Sequence, residues 1–84
     1  MYIYYITFRS VTFAQRAEKL LNKQGIRVGL IRTPRWMEEQ GCGYALKIWN
    51  HDVLSVVKFL RDSSIQIRKV YVQREGGEME EMRL

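Results

Sequence analysis

The fold is decided by residues 2–32, YIYYITFRSVTFAQRAEKLLNKQGIRVGLIR, which predict a strand, a helix and a second strand. Residues 2–9 are rich in aromatic and β-branched side chains, as is typical of a buried strand. The Thr-x-x-Gln spacing from Thr12 to Gln15 predicts a helix start, and Gly25 supplies the left-handed residue that ends the helix. This helix has one apolar stripe, made of Phe13, Ala17, Leu20 and Leu21.

Two further strands follow the helix. Apolar residues alternate over residues 26–32, and Pro34 ends this strand because proline has no N–H to donate to a ladder. Residues 44–49 predict a third strand, whose side chains alternate between the two faces of the sheet. Burying an unpaired Lys47 against the helices would be costly, so the lysine is expected on the open face. The inward residues are then Tyr44, Leu46 and Ile48.

The rest of the chain completes a known layout. Asn50 or Asp52 caps a second helix with its own apolar stripe, and residues 65–72 predict a fourth strand. The order β-α-β-β-α-β predicts an α+β, ferredoxin-like domain, with a four-stranded antiparallel sheet and both helices on one face. We expect residues 1–73 to form this single domain. Residues 74–84, with two glycines and four glutamates, are expected to form a flexible acidic tail.

Composition indicates one small folded domain with an anionic partner. The 84 residues are 46% hydrophobic, too apolar for a disordered chain, and no apolar run approaches the ~18 residues of a membrane span. The start lacks the features of a signal peptide, and one cysteine cannot form an internal disulfide, so we expect a cytoplasmic protein. A net charge of +5 favours nucleic acid, an acidic protein surface or small anions as partners.

The connection between the second and third strands is the candidate functional site. At about ten residues it is longer than ordinary hairpin loops, and such loops are often functional. It holds the only cysteine of the chain, Cys42, between Gly41 and Gly43, which leave the thiol open to approach. Arg32 and Arg35 precede the cysteine, and nearby cations lower the pKa of a thiol and favour the reactive thiolate.

A thiol of this kind can accept sulfur as a persulfide, or selenium as a selenosulfide, and pass it on. Pro34 would shape the loop, and Lys47 adds a cation on the next strand. Glu38 and Glu39 act in the opposite direction if they point inwards, because carboxylates near a thiol raise its pKa. The alternative is that Cys42 is a small buried hydrophobe at the start of a strand, since free cysteine is among the most buried residue types.

Five short stretches follow the pattern of a known family. They are Ile6-Thr7-Phe8 with Ser10, residues 17–21, Gly25-Ile26, Pro34-Arg35 and Cys42-Gly43. In these residues the chain resembles the small selenium/sulfur carrier protein-like domains of bacteria and archaea. The resemblance implies a carrier that exchanges sulfur or selenium with a donor or acceptor protein, and it marks Pro34, Arg35, Cys42 and Gly43. The chain departs from the family at residues 38–41, where the family tends to have serines.

A non-catalytic binding module is the main alternative, because the RNA recognition motif and ACT-like domains share this layout. Lys47 and Trp49 on the open sheet face suit single-stranded RNA, although a second copy of the chain is the favoured occupant and would give a homodimer. His51 has no partner at metal-ligand spacing, and no catalytic grouping is evident. We therefore expect no metal, no cofactor and an accessory protein rather than a self-sufficient enzyme.

Overall fold

The protein folds as an α+β domain in which two helices lie on one face of a five-stranded antiparallel sheet. The structure is a computed structural model that describes residues 2–34, 43–49 and 52–83. The strands lie in the spatial order β2-β3-β1-β4-β5. The elements in chain order are β1 (Ile3–Thr7), α1 (Val11–Lys23), β2 (Val28–Arg32), β3 (Tyr44–Trp49), α2 (Val53–Asp62), β4 (Val70–Gln73) and β5 (Met79–Met82).

The expectation of four strands is wrong in number, because β5 pairs with β4 in a segment predicted to be tail. Gly77 has φ +84°, which only glycine adopts readily, and its N–H donates to the Arg74 carbonyl at 2.9 Å to close the turn. The glutamates of β5 form ion pairs with the two cations that flank β4. Glu80 pairs with Arg74 at 3.1 Å and Glu81 with Lys69 at 3.6 Å. The first six elements keep the order β-α-β-β-α-β, so the fold is compatible with a ferredoxin-like arrangement carrying one extra strand.

The helix boundaries are set by caps that differ in part from the expected ones. The N-cap of α1 is Ser10, not Thr12, and the Ser10 hydroxyl accepts a hydrogen bond from the Thr12 N–H at 3.1 Å. At the other end Gly25 takes φ +77°, as expected for the residue that ends this helix. Asp52 caps α2 and accepts from the backbone of Leu54 at 3.1 Å. Asn50, the other candidate cap, lies outside the described residues.

Two strands begin later than predicted. β2 begins at Val28 instead of residue 26, and β4 begins at Val70 instead of residue 65. Just before β4 the chain is hydrogen-bonded to the end of β1, where the Arg68 N–H donates to the Thr7 carbonyl at 2.8 Å. Ile65 is 1% exposed and packs in the core between α2 and the sheet. Its apolar side chain therefore contributes to the core from outside the strand.

The phase of β3 is confirmed and decides which face of the sheet holds the core. Leu46 and Ile48 are fully buried against the helices, and Tyr44 packs at the margin of the same cluster. Lys47 and Trp49 point to the opposite face. The buried residues of the helix-side core are Ile6, Phe8, Ala14, Ala17, Leu21, Leu46, Ile48, Val53, Val56, Val57, Leu60, Ile65 and Val70.

Candidate functional site

The two ends of the β2–β3 connection are held together beyond the ladder itself. Arg32 and Tyr44 are Cα partners, and the next pair out is closed by the Thr33 N–H, which donates to the Gly43 carbonyl at 2.9 Å. Thr33 is buried, and Gly43 has φ +83°, a conformation that a side chain there would strain. The Arg32 guanidinium carbon lies 5.5 Å from the centroid of the Tyr44 ring. The hairpin therefore has a fixed base directly beside the cysteine in sequence.

Three of the predicted site residues, Arg35, Gly41 and Cys42, lie outside the described residues. Glu38, Glu39 and His51 lie outside them as well. The described site residues are Arg32, Pro34, Gly43, Lys47 and Trp49.

The predicted residues that are described fall into two groups. Arg32, Pro34 and Gly43 belong to the base of the hairpin. Trp49 ends β3 and is the Cα partner of Ile3 at the start of β1, so it lies at the other end of the sheet. Trp49 lies six positions along the strand from Gly43, a distance of about 20 Å. One small ligand cannot contact both groups, and they must be considered as separate sites.

We call the end of the sheet that carries the hairpin the loop end. β1 finishes there and β3 begins there, because Thr7 is the Cα partner of Ala45. β4 begins there too, since the Thr7 N–H donates to the Lys69 carbonyl at 2.9 Å and the Lys69 N–H donates to the Thr7 hydroxyl at 3.1 Å. Arg9 and Gly43 each lie two residues along the chain from the Thr7–Ala45 pair, at this end of the sheet.

The open face of the sheet carries alternating cations and aromatic rings. The Lys47 ammonium lies 5.9 Å from the centroid of Tyr5 and 5.3 Å from that of Trp49. The Arg27 guanidinium carbon also lies 5.3 Å from the Trp49 centroid. A Cβ added at Gly29 would lie 3.3 Å from the Trp49 ring, so glycine makes room for the indole across β2. We call Tyr5, Lys47, Trp49 and Arg27 the cation–aromatic row.

Sequence reasoning missed two members of this arrangement, Arg27 and Gly29. Their signal is the alternation of β2, which places odd-numbered residues opposite the core, but it has meaning only with the register that pairs Gly29 with Lys47. Tyr5 and Tyr71 also lie on this face, where both are largely buried by their neighbours. The centre of the open face is therefore packed within the monomer.

The described part of the chain has neither a cluster of metal ligands nor a membrane-spanning helix. No group of three or more His, Cys, Asp or Glu side chains within residues 2–34, 43–49 and 52–83 is arranged to hold a metal ion. Neither of the helices in those ranges is long and apolar enough to cross a membrane.

The fold and the hairpin together define a small α+β open-sheet domain. The connection that carries its cysteine is closed at the base by the Thr33–Gly43 hydrogen bond. The family model described as "Putative Se/S carrier protein-like" matches residues 3–72, and the chain belongs to that family. The match covers both helices, β1 to β3, all of β4 except Gln73, and the whole β2–β3 connection. No curated protein and no solved structure matches the chain.

Proposed function

We propose that the protein takes sulfur or selenium from a donor, carries it on Cys42 and passes it to an acceptor protein. Membership of the selenium/sulfur carrier-like family over residues 3–72 supports this role, since the matched region includes the cysteine. The hairpin base supports it as well. The Thr33–Gly43 hydrogen bond and the positive φ of Gly43 fix the point at which the chain re-enters the sheet directly after Cys42.

The transfer step needs no oxidant or reductant. The Cys42 thiolate attacks the outer sulfur of a donor persulfide, R–S–SH, and a new S–S bond forms as the S–S bond of the donor breaks. The donor leaves as the thiolate R–S⁻ with the electron pair, and the transferred sulfur keeps its proton. A selenosulfide donor, R–S–SeH, reacts in the same way at selenium. Reversal of this step onto an acceptor thiol would complete the carriage.

The residues around the thiol have separate roles in this proposal. Pro34 shapes the loop, and Gly41 and Gly43 leave the sulfur open to approach. Arg35 attracts an anionic donor and favours the thiolate over the thiol. Arg32, which stacks over the Tyr44 ring at 5.5 Å, adds positive charge at the hairpin base.

The decisive experiment weighs the intact protein after exposure to a low-molecular-weight persulfide. The wild-type chain is expected to gain the mass of one sulfur atom, and dithiothreitol should remove it. Cys42→Ser should gain nothing, and its circular dichroism spectrum should match that of the wild type. Alkylation by iodoacetamide with and without urea provides a second readout. A native Cys42 that gains no sulfur and is alkylated far more slowly than in urea would favour the packing interpretation and overturn the proposal.

The cation–aromatic row favours a second candidate function, the binding of single-stranded RNA on the open face. The Trp49 ring, with the cations of Lys47 and Arg27 each 5.3 Å from its centroid, is the type of surface on which a base stacks while phosphates are neutralised. Of the large hydrophobic residues that the structure describes, Tyr2 and Leu54 are the exposed ones, and Leu54 is not on this face. Pairing of two copies through the open sheet would bury little exposed apolar surface, and it stays a prediction.

The RNA candidate is tested by the anisotropy of a labelled single-stranded RNA at several salt concentrations. Trp49→Ala should weaken binding by about tenfold, because one lost stacking contact is worth about 1–3 kcal/mol. Lys47→Ala should lower the salt dependence of binding. Two variants should leave the RNA affinity unchanged: Leu54→Ala, which removes an exposed side chain from α2, and Cys42→Ser. If Trp49→Ala binds as the wild type does, this candidate fails.

A further inference from the structure

The loop end of the sheet gathers positive charge from parts of the chain that are distant in sequence. Arg9 follows β1, Arg68 and Lys69 precede β4, and Arg83 follows β5. The register brings them together, since Ile6 pairs with Val70 and Val70 with Met82. We call this set the loop-end cationic patch, and its members in the described chain are Arg9, Arg32, Arg61, Arg68, Lys69 and Arg83.

The patch lines two clefts, and its cations outnumber the described carboxylates at this end of the sheet. Arg9 and Arg61 line a cleft of about 550 Å³ together with Ser64. Arg61 also lines an adjoining cleft of about 260 Å³, with Arg68 and other members of the patch. Two described carboxylates lie at this end, Asp62 at the end of α2 and Glu81, and the latter pairs with Lys69 at 3.6 Å.

The opposite end of the sheet has a nearly even balance of charge, because Lys23, Arg27 and Arg74 lie there beside the carboxylates. It holds the N-cap carboxylate of Asp52 and the turn between β4 and β5, which carries Glu75 and Glu78. The two exposed large hydrophobics of the described chain, Tyr2 and Leu54, are at this opposite end too. Among the described residues, the excess of cations therefore lies at the loop end and the exposed large hydrophobics lie at the other. Such a cationic surface suits a small charged ligand better than a protein interface.

We propose that the donor that loads Cys42 is a small anion with a sulfane sulfur, such as a deprotonated persulfide or thiosulfate, concentrated by the loop-end cationic patch. This rests on the proposed carrier function. Gly43, next to Cys42 in sequence, lies at the loop end, where its carbonyl accepts from Thr33, the neighbour of Arg32, and fields act over about 8 Å at physiological ionic strength. With thiosulfate, the thiolate attacks the outer sulfur, the S–S bond breaks, and sulfite leaves with the electron pair, so charge and atoms balance.

The test compares two alkylating reagents that differ in charge. Iodoacetate is an anion and iodoacetamide is its neutral amide, so the ratio of their rate constants at Cys42 reports attraction of an anion. A change in the thiol pKa alters both rates alike and cancels in this ratio. The double variant R9Q/R61Q should lower the ratio about threefold at low salt, and the difference should shrink at about 1 M salt. The single variant Arg9→Gln should lower it less.

The matched control removes the same number of charges elsewhere. K19Q/K23Q lies on the far half of α1, and all four substituted residues are exposed, so folding should be kept in both proteins. A fall in the ratio with R9Q/R61Q alone supports the patch. An equal fall in both doubles, or in neither, overturns it and leaves sulfur uptake by Cys42 standing if that was observed. If neither reagent reaches Cys42 in the native protein, both proposals are overturned. Competition gives the last outcome. If an acidic peptide lowers the wild-type ratio of rate constants and thiosulfate does not, the patch binds a protein partner and the small-anion donor is overturned.

Discussion

Replacing Leu46 by alanine is expected to lower the free energy of unfolding by about 3 kcal/mol, the middle of the range for a fully buried leucine. Leu46 lies in β3 with 0% of its surface exposed, between Ile6 of β1 and Leu30 of β2 as Cα partners. The neighbouring strands and the helices above them are fixed by many other contacts. The site can therefore collapse little around the missing methyl groups, and a cavity should remain.

Urea unfolding followed by circular dichroism measures this effect, and the slope with urea should stay constant while the midpoint falls. The matched control is Lys47→Ala on the next residue of the same strand. Lys47 faces the opposite side, over the rings of Tyr5 and Trp49, and its loss should cost below about 1 kcal/mol. Equal costs at the two positions would contradict the assigned phase of β3.

The phase of β3 is also the part of the fold that sequence predicts best, and for a clear reason. A strand permits two phases, and one of them would bury a lysine without a partner. The second helix is predicted equally well, because its buried apolar residues recur every three or four positions, as on one face of a helix. The cap of α1 was harder, since Ser10 and Thr12 are both good caps, and local pattern alone does not reveal which hydroxyl accepts the first free N–H.

β5 was missed because its stabilising contacts are not local. Its sequence, MEEM, has low strand propensity, and two glutamates in a short strand are typical of a solvated tail. In the folded chain Glu80 and Glu81 each pair with a cation, Arg74 and Lys69, and the two methionines pack against opposite faces of the sheet. None of these contacts can be found from the strand alone, because they depend on its register with β4.

The candidate site shows the same division. The long connection, its cysteine and its flanking glycines are features of sequence, and they are sufficient for the family resemblance that the match to residues 3–72 confirms. The alternation of β3 predicts Trp49 for the open face, and its position at the far end of the strand from Gly43 follows from the same pattern. The loop-end cationic patch is invisible in sequence, since Arg9, Arg61 and Arg83 meet only through the order of the strands.

The largest effect we expect follows removal of residues 74–84, the segment whose sequence predicts a tail. The deletion removes β5, and with it the packing of Met79 beside Tyr71 and of Met82 against the helix-side core. It also makes β4, which stays paired with β1, an edge strand of the sheet. We expect the free energy of unfolding to fall by about 3–5 kcal/mol, a large share of the stability of a domain of this size. The melting temperature should fall by about 15–20 °C.

Calorimetry of the 1–73 chain beside the full chain measures this difference, and two substitutions identify its cause. Glu78→Gln removes an exposed charge from the turn and should leave the melting temperature unchanged, since the carbonyl of that residue makes the turn hydrogen bond with Arg74. Met82→Ala, in the strand that pairs with Val70, should account for about 1–2 kcal/mol of the total loss. If the 1–73 chain melts within about 2 °C of the full chain, β5 contributes little, and the domain would end at Gln73.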